Sequence, residues 1–600
     1  MKDFFAAWTV LVFSAGVLCT CGGGGGQDTY SINGTVTLGS VGYGGVTITL
    51  RGDAAEDTAT DNSGNYTFTG LGRGNYTVTP DLPGQTFTPP SRNVDLSGSS
   101  MAGVDFSLDT YILSGQVTNS MGGMPGIRVN LGGTSAGSVM TESGGDYIFS
   151  GLLNGLYTAT PVGAPQVFDP VSSLVTVSGS HAENVDFNVP SMVWLVDIDE
   201  AGTGNGYSWV NAFDHPQDAM DIAFPGDQIW VAEGTYYPRD TEDTYVLSLA
   251  DGVAVYGGFA GLESGLWQRD WTQNETVLDG NGLPSPEGYR QVIVANADEA
   301  LVDGFTITGG VDNFTSYFSG IGINTSTSET IHASFINSLI IGNFGGESAP
   351  GVYIDASPDS IITFKECEIS DNQGAWSFAT IAIVSGNVVF TGCDIFGNSV
   401  FEGTGGILID SGANVVIENS FVENNACTGQ AGAGGIETRG DLSLINDVIA
   451  GNSTAVNSMG GGIEAWGGVI FMVNTTIVNN QVGTLSGGGG IYVGGSAVDI
   501  VNGILWENTK SAGNGGGILV DSQIEGEPRS VAYSDVMGGW AGTMNIDGDP
   551  AFASSTDFYL TEGSPCIDAG TAEGAPPEDI EGNPRPVGAG YDMGAFEYIP

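Results

Sequence analysis

Positive charge is what this chain has least of. Its 600 residues carry 13 Lys+Arg against 69 Asp+Glu, a formal net charge of −56. Such a surface repels DNA, RNA and anionic lipid, and disfavours unassisted binding of an acidic glycan. Bound divalent cations reverse that locally. Histidine is scarcer still. His181, His215 and His332 are scattered, so no compact Cys/His metal cluster is available. A long apolar run occurs once, over residues 4–18 behind Lys2. It is short for a transmembrane span and reads as an export signal. Helix-length runs are also missing from the repeated part of the chain, which excludes a βαβ architecture.

Glycine is abundant, at 97 residues, and the sequence has a period. Asn343, Asn372, Asn398, Asn425, Asn452, Asn480 and Asn508 are spaced 29, 26, 27, 27, 28 and 28 apart. A second series keeps step with them: Val352, Ile381, Ile407, Ile436, Ile463, Ile491 and Ile518. Short β-branched runs separated by Gly, Asn and Asp at this period predict a stacked solenoid. Each strand pairs with its counterpart one coil away, about 4.8 Å off, and inward residues stack like on like. The periodic asparagine is expected to mark a turn, where Asn tolerates the left-handed conformation, and to bond its neighbours between coils.

Two smaller units precede the solenoid. Residues 30–110 and 111–190 repeat at an offset of 81, matching Tyr30/Tyr111, Tyr66/Tyr147, Leu71/Leu152, Tyr76/Tyr157 and Phe106/Phe187. Alternating short strands with turns such as NSGN and GRGN predict antiparallel β-sandwiches. Their GxYxFxGLxxGxYxVxP pattern resembles the carboxypeptidase-regulatory or transthyretin-like family. That resemblance implies spacer modules whose matched tyrosines and leucines are core and corner residues.

From Trp194 the composition changes. Residues 191–228 resemble the lead-in of secreted right-handed β-helix proteins. They are expected to carry a short capping helix from about Pro216 to Phe224, N-capped by Asp214. The β-helix is expected over residues 229–545, with less regular coils ahead of the Asn343 repeat. GGI and IxxN repeats resemble those of chlamydial polymorphic outer-membrane proteins. Residues 546–600, with SPCIDAG, DIEGNPRP and GYDMGAFEY, resemble the choice-of-anchor Q end of β-helix proteins. The fold class that follows is all-β: a right-handed single-stranded parallel β-helix, pectin-lyase-like, behind two small antiparallel sandwiches.

Residues 1–21 end in Leu18-Cys19-Thr20-Cys21, which resembles a bacterial lipobox, although Thr20 stands where a smaller residue is usual. Cys21 is then the lipidation site, and residues 22–29 are a glycine-rich tether. The expectation is an exported, outer-membrane-anchored lipoprotein attached to the bacterial membrane through its N-terminal lipid, with an unanchored secreted form as the alternative. Of the remaining cysteines, Cys367 and Cys393 each precede a ladder asparagine by five residues. They should be vertical neighbours, able to form a disulfide but expected as two buried thiols.

Glu437 and Glu464 each follow a stacked isoleucine, so both should face outward on adjacent coils. Arg439 and Trp466 lie two residues on, beside Asp410. This set can grip a sugar chain. It also fits a solvated face with an Asp410–Arg439 ion pair. A hydrolase needs two carboxylates about 5–9 Å apart, so Glu437 and Glu464 are the catalytic candidates. A lyase needs cations, and the regular coils offer only Lys365, Arg439, Lys510 and Arg529. Asp197 and Asp199, in DIDEAGTGNG, are candidate calcium ligands or a plain turn. The acids Asp568, Asp579 and Asp592 are open between turn caps and ion ligands. Together these features predict a non-enzymatic cell-surface protein for adhesion, glycan or matrix binding, or envelope architecture. A polysaccharide lyase or glycoside hydrolase is the alternative. The expected partner is an extracellular polysaccharide or surface protein, with no nucleic acid.

Overall fold

The computed structural model describes residues 28–600, apart from 120–121, 163–167, 200–203, 241, 283–289, 313–317, 325–328, 431, 457, 484–486, 512–517 and 521–522. The described residues form two compact units, those within 1–118 and 122–189, and those within 119–121 and 190–600.

The first unit holds the two sandwiches. In the first, Thr47–Gly52 lies between Glu56–Ala59 and Gly74–Asp81, and Arg92–Leu96 extends that sheet, all antiparallel. The facing sheet pairs Tyr30–Leu38 antiparallel with Asn65–Leu71 and parallel with Phe106–Leu108. Alternation sends Ile32, Ile48, Leu50, Phe68 and Val78 into a dry core. The second sandwich repeats this register. The offset tyrosines have structural roles: Tyr66 and Tyr147 donate their hydroxyls to Val104 O and Val185 O. Tyr76 and Tyr157 reach back four residues to Gly72 O and Leu153 O at 3.0 and 2.9 Å.

The second unit is a parallel β-helix with four strands per coil, as in Ile436–Thr438, Asp441–Ile445, Val448–Ala450 and Ser453–Val456. Among the described residues, the first two rows share one 20-stranded sheet, and the third and fourth rows form sheets of 11 and 9 strands. The isoleucine column stacks in register from Val352 through Ile381, Ile407, Ile436 and Ile463 to Ile491. Three phenylalanines form a second column, Phe335, Phe364 and Phe390, with rings stacked 5.0 and 5.1 Å apart. One coil has too little surface to bury such side chains. The stack closes the core because each coil roofs the one below.

The column continues at Ile524, not at Ile518 as the spacing suggested. Strand Ile518–Val520 instead runs antiparallel to Thr509–Ser511, breaking the repeat locally. At the other end the β-helix begins earlier than residue 229. Val193–Val196 already pairs parallel with Gln228–Ala232. The helix over this first rung is shorter than expected, Pro216–Met220, and its N-cap is His215. His215 Nδ1 accepts the Gln217 amide at 3.0 Å, a bond the expected Asp214 does not make because it lies one residue too early. Ala219 and Met220 pack into the solenoid core beneath.

The asparagines form a continuous amide ladder. Each side chain donates through Nδ2 to the Oδ1 of the next, from Asn343 to Asn508, at 2.9–3.1 Å. From Asn372 onward each Oδ1 also accepts the backbone N–H of the asparagine one coil earlier, and Asn343 Oδ1 accepts that of Gly310. Nδ2 spends its second proton on a backbone carbonyl, as Asn425 does on Ile395 O at 2.8 Å. Gln523 ends the ladder by accepting from Asn508 at 2.7 Å. The left-handed position is not the ladder asparagine. It is the residue before it: Gly342, Asp371, Gly397, Asn424, Gly451, Asn479 and Glu507 all have positive φ. The ladder residue must point its amide into the coil, so its predecessor makes the turn.

Cys367 and Cys393 are free, buried thiols in adjacent coils, and Cys427 and Cys566 are buried elsewhere. The column they share also carries Asp447, which accepts the Ser420 and Ile445 amides. Burial holds that carboxyl well above the usual carboxylate range.

Residues 546–600 fold back over the third row of strands. Phe558 and Phe596 pack on Val448, Ala450 and Val478, while Leu560, Cys566 and Met593 cover Ile504. Polar staples come from the turn before that row. Asn446 donates to Glu578 O, Asn474 to Asp592 O and Gly594 O, and Asn502 to Thr571 O. At the centre, Arg585 and Glu597 form a fully buried ion pair of 2.9 Å. Asp568, Asp579 and Asp592 accept backbone amides that fix the turns of this segment.

Candidate functional site

Strand pairing sets Glu437 directly beside Glu464, with Leu408 on one flank and Tyr492 on the other. The isoleucines before them point in, so both carboxylates point out, away from the coil. They do not form a solvated face. Glu437 is 7% exposed and Glu464 4%. Turns from preceding coils bring Trp376, Phe378 and Gly403 around them, and Met459 adds a further side. The result is a groove of about 550 Å³ with two acids in its floor.

Arg439 does not pair with Asp410 as expected. Its Nη2 donates to Glu437 Oε1 at 2.6 Å, while Asp410 Oδ1 accepts the Ser411 amide at 2.7 Å. The buried Glu437 carboxylate is the more poorly hydrated acceptor, and a charge-assisted bond gains most there. Glu437 Oε2 accepts the Thr404 hydroxyl at 2.8 Å. Trp466 Nε1 donates to Glu464 Oε1 at 2.9 Å, fixing the indole along the groove. The other oxygen, Glu464 Oε2, is buried and finds no hydrogen-bond partner among the described residues. Burial, followed by the neighbouring Glu437 charge, pushes Glu464 up to about 7.

Aromatic side chains flank the acids. Trp466 is 42% exposed and tilts against Tyr492 with ring centres 5.2 Å apart. Trp376 is 54% exposed and meets Phe401 edge to face, also at 5.2 Å. Of this set, Glu437, Glu464, Arg439 and Trp466 were legible in the sequence, whereas Trp376, Phe378, Phe401 and Thr404 were not. The available signal was the pair of large aromatics inside the otherwise small-residue turn GAWSFAT.

The other candidates lie elsewhere. Asp197 Oδ1 accepts the Asp199 amide at 3.0 Å, a turn-forming bond. The rest of that loop, residues 200–203, is outside the described residues. Among the described residues, no group of three or more His, Cys, Asp or Glu is arranged to hold a metal ion. Cys21 and residues 22–27 of the tether also lie outside the described residues.

Comparison with known proteins follows the same two-part division. A family model described as "Right handed beta helix region" matches residues 290–482, and one described as "SdrD B-like domain" matches residues 27–119. The serine-aspartate repeat-containing protein F of Staphylococcus epidermidis is 33% identical over 158 residues, covering 20% of this chain and 9% of that protein. The serine-aspartate repeat-containing protein D of Staphylococcus aureus is 28% identical over 266 residues, covering 38% of this chain and 18% of that one. The chain thus spans less than a fifth of the length of these relatives. The solved pectate lyase Pel9A aligns over 68% of this chain and 96% of its own, at 16% identity and a TM-score of 0.42. That likeness is too low to carry any argument about activity.

These relatives overturn one expectation. Staphylococci are Gram-positive and have no outer membrane, so the reading as an outer-membrane-anchored lipoprotein is corrected. Its residue-level basis was a lipobox-like pattern already departing from type at Thr20. The chain is a right-handed parallel β-helix preceded by small β-sandwich structure, and is related in part to the serine-aspartate repeat-containing proteins.

Proposed function

We propose that this chain is a non-enzymatic cell-surface protein whose β-helix presents a glycan-binding groove, serving adhesion, matrix binding or envelope architecture. The carrying observation is the groove around Glu437 and Glu464. Trp466 and Trp376 offer flat apolar faces matched to sugar rings, and Arg439 and Glu437 offer donors and acceptors. Stacked coils hold these groups rigid, so binding loses little ordering entropy. Relation to serine-aspartate repeat-containing proteins of staphylococci favours a surface setting. In this reading the two sandwiches, at residues 30–110 and 111–190, are spacers with a carboxypeptidase-regulatory-like pattern. Residues 546–600 are a choice-of-anchor Q-like ending. The partner is an extracellular polysaccharide or a glycosylated surface protein, and calcium bridges any acidic ligand to a surface of charge −56.

A glycan array tests this reading, run with calcium and with chelator, on the wild type and Trp466→Ala. Binding that the variant loses is expected. Failure of the wild type on every glycan contradicts the proposal.

The second reading is a glycosidase. Adjacent strands stand about 4.8 Å apart, close to the roughly 5 Å of a retaining acid pair. A carboxyl near 7 also suits a general acid. Against it, Glu437 is already engaged by Arg439 and Thr404, and one Glu464 oxygen by Trp466. Reducing-sugar release by the wild type, abolished in Glu464→Gln, would favour this second reading.

A further inference from the structure

We infer that the groove selects a glycan carrying a free amine, an unacetylated hexosamine whose ammonium sits between Glu464 and Glu437. The inference rests on the glycan-binding reading above and narrows its ligand class. The groove is lined by three carboxylates, Glu402, Glu437 and Glu464, against one guanidinium, and Arg439 is committed to Glu437 Oε1. Glu464 Oε2 is buried and closes no full hydrogen bond among the described residues, although the Met459 and Gly460 amides approach the carboxylate. A buried carboxylate oxygen without a donor is costly in its charged form, and an occupant that brings a proton to donate offsets that cost. An ammonium brings three donors and a positive charge, enough for Glu464 Oε2 and the neighbouring Glu437.

Two other occupants fit less well. Calcium takes six to eight oxygens, and no three-ligand cluster is present among the described residues. A lysine side chain supplies the ammonium on a thin flexible stem, leaving the flat faces of Trp466 and Trp376 uncovered. A sugar ring covers such faces while presenting its amine at a fixed distance. The surface charge of −56 draws a polycationic glycan toward the protein and repels a uronate polymer.

Titration calorimetry of the full chain at pH 6.5 provides the test. The ligands are a glucosamine tetramer, its fully N-acetylated counterpart, cellotetraose and a lysine-rich peptide. The amino sugar is expected to bind at least tenfold more tightly than either other sugar. Its ammonium should drive a proton off Glu464, so the measured enthalpy should vary with the ionisation heat of the buffer. Glu464→Gln should lose both the preference and the proton release. Trp466→Ala should weaken all three sugars alike and keep the preference. Equal binding of the three sugars overturns the amine inference and leaves the glycan reading standing. Peptide binding without any sugar binding overturns both, as does failure to bind any of the four ligands.

Discussion

At Asn425 the side-chain amide donates to Ile395 O and Asn452 Oδ1, and its oxygen accepts two bonds from Asn398. Asn424, one residue earlier, carries the positive φ of 53°. The two neighbours therefore predict opposite mutational behaviour. Asn425→Ala strands four buried bonding partners and should cost about 2–4 kcal/mol. Asn424→Gly keeps the left-handed turn and should stay within about 1 kcal/mol. Denaturant melts of both variants check this, and equal losses would contradict the division of labour. The ladder was legible in the sequence because one side chain must recur at the same place in every coil. The turn residue was not, because Gly, Asp, Asn and Glu all fill it and no single letter repeats. Glu464 was legible in direction but not in environment, because its cover comes from Trp376 and Phe378, in a turn of earlier coils. Glu464→Gln should gain roughly 1–3 kcal/mol at pH 8, where the wild type must hold a buried charge, and almost nothing at pH 5. Paired melts at the two pH values measure it.

Whole strands and segments follow different rules of legibility. Short alternating runs in Asp441–Ile445 or Val469–Val473 announce strands by themselves. The first rung, Val193–Val196, did not announce itself because it lies before the regular coils, at the end of its sheet. The segment 546–600 has almost no regular structure to predict. It is organised by tertiary contacts: phenylalanines on the third row of strands, and Asn446, Asn474 and Asn502 bonded to its backbone. Arg585 is the centre of that docking. It donates to Glu597, Asn446 Oδ1, Gly594 O and Ala595 O, and burial lowers its otherwise very high pKa. Arg585→Ala leaves Glu597 buried and unpaired, and should cost about 3–5 kcal/mol. Hydrogen exchange should rise in 546–600 and in the 446–506 strands beneath, and leave the 352–400 coils unchanged. A variant with native exchange in the docked segment would contradict the assignment.

Over the molecule as a whole, acidity decides how stability varies with pH. Burial, the leading cause in each case, raises Glu464 to about 7 and Asp535 and Asp592 to about 6. Each carboxyl holds its proton in the folded chain at pH values where the unfolded chain has lost it. Its contribution is therefore fully present below the ordinary carboxyl range and disappears as pH rises through 6 to 7. Self-repulsion from a charge of −56 has the same sign. The β-helix should melt several degrees higher at pH 5 than at pH 8. Tryptophan fluorescence isolates this transition, because residues 30–190 contain no tryptophan. A higher melting temperature at pH 8 would refute the buried-acid account.

The central claim is that the groove holds a glycan without cutting it. Its most direct test is mass spectrometry of oligosaccharides recovered after long incubation with the wild-type protein, chosen from those the array shows to bind. The account predicts that they are retained by the wild type, released by Trp466→Ala, and recovered at their original mass from both. Fragments that appear with the wild type and vanish with Glu464→Gln, with folding intact, would contradict it and make Glu437 and Glu464 a catalytic pair.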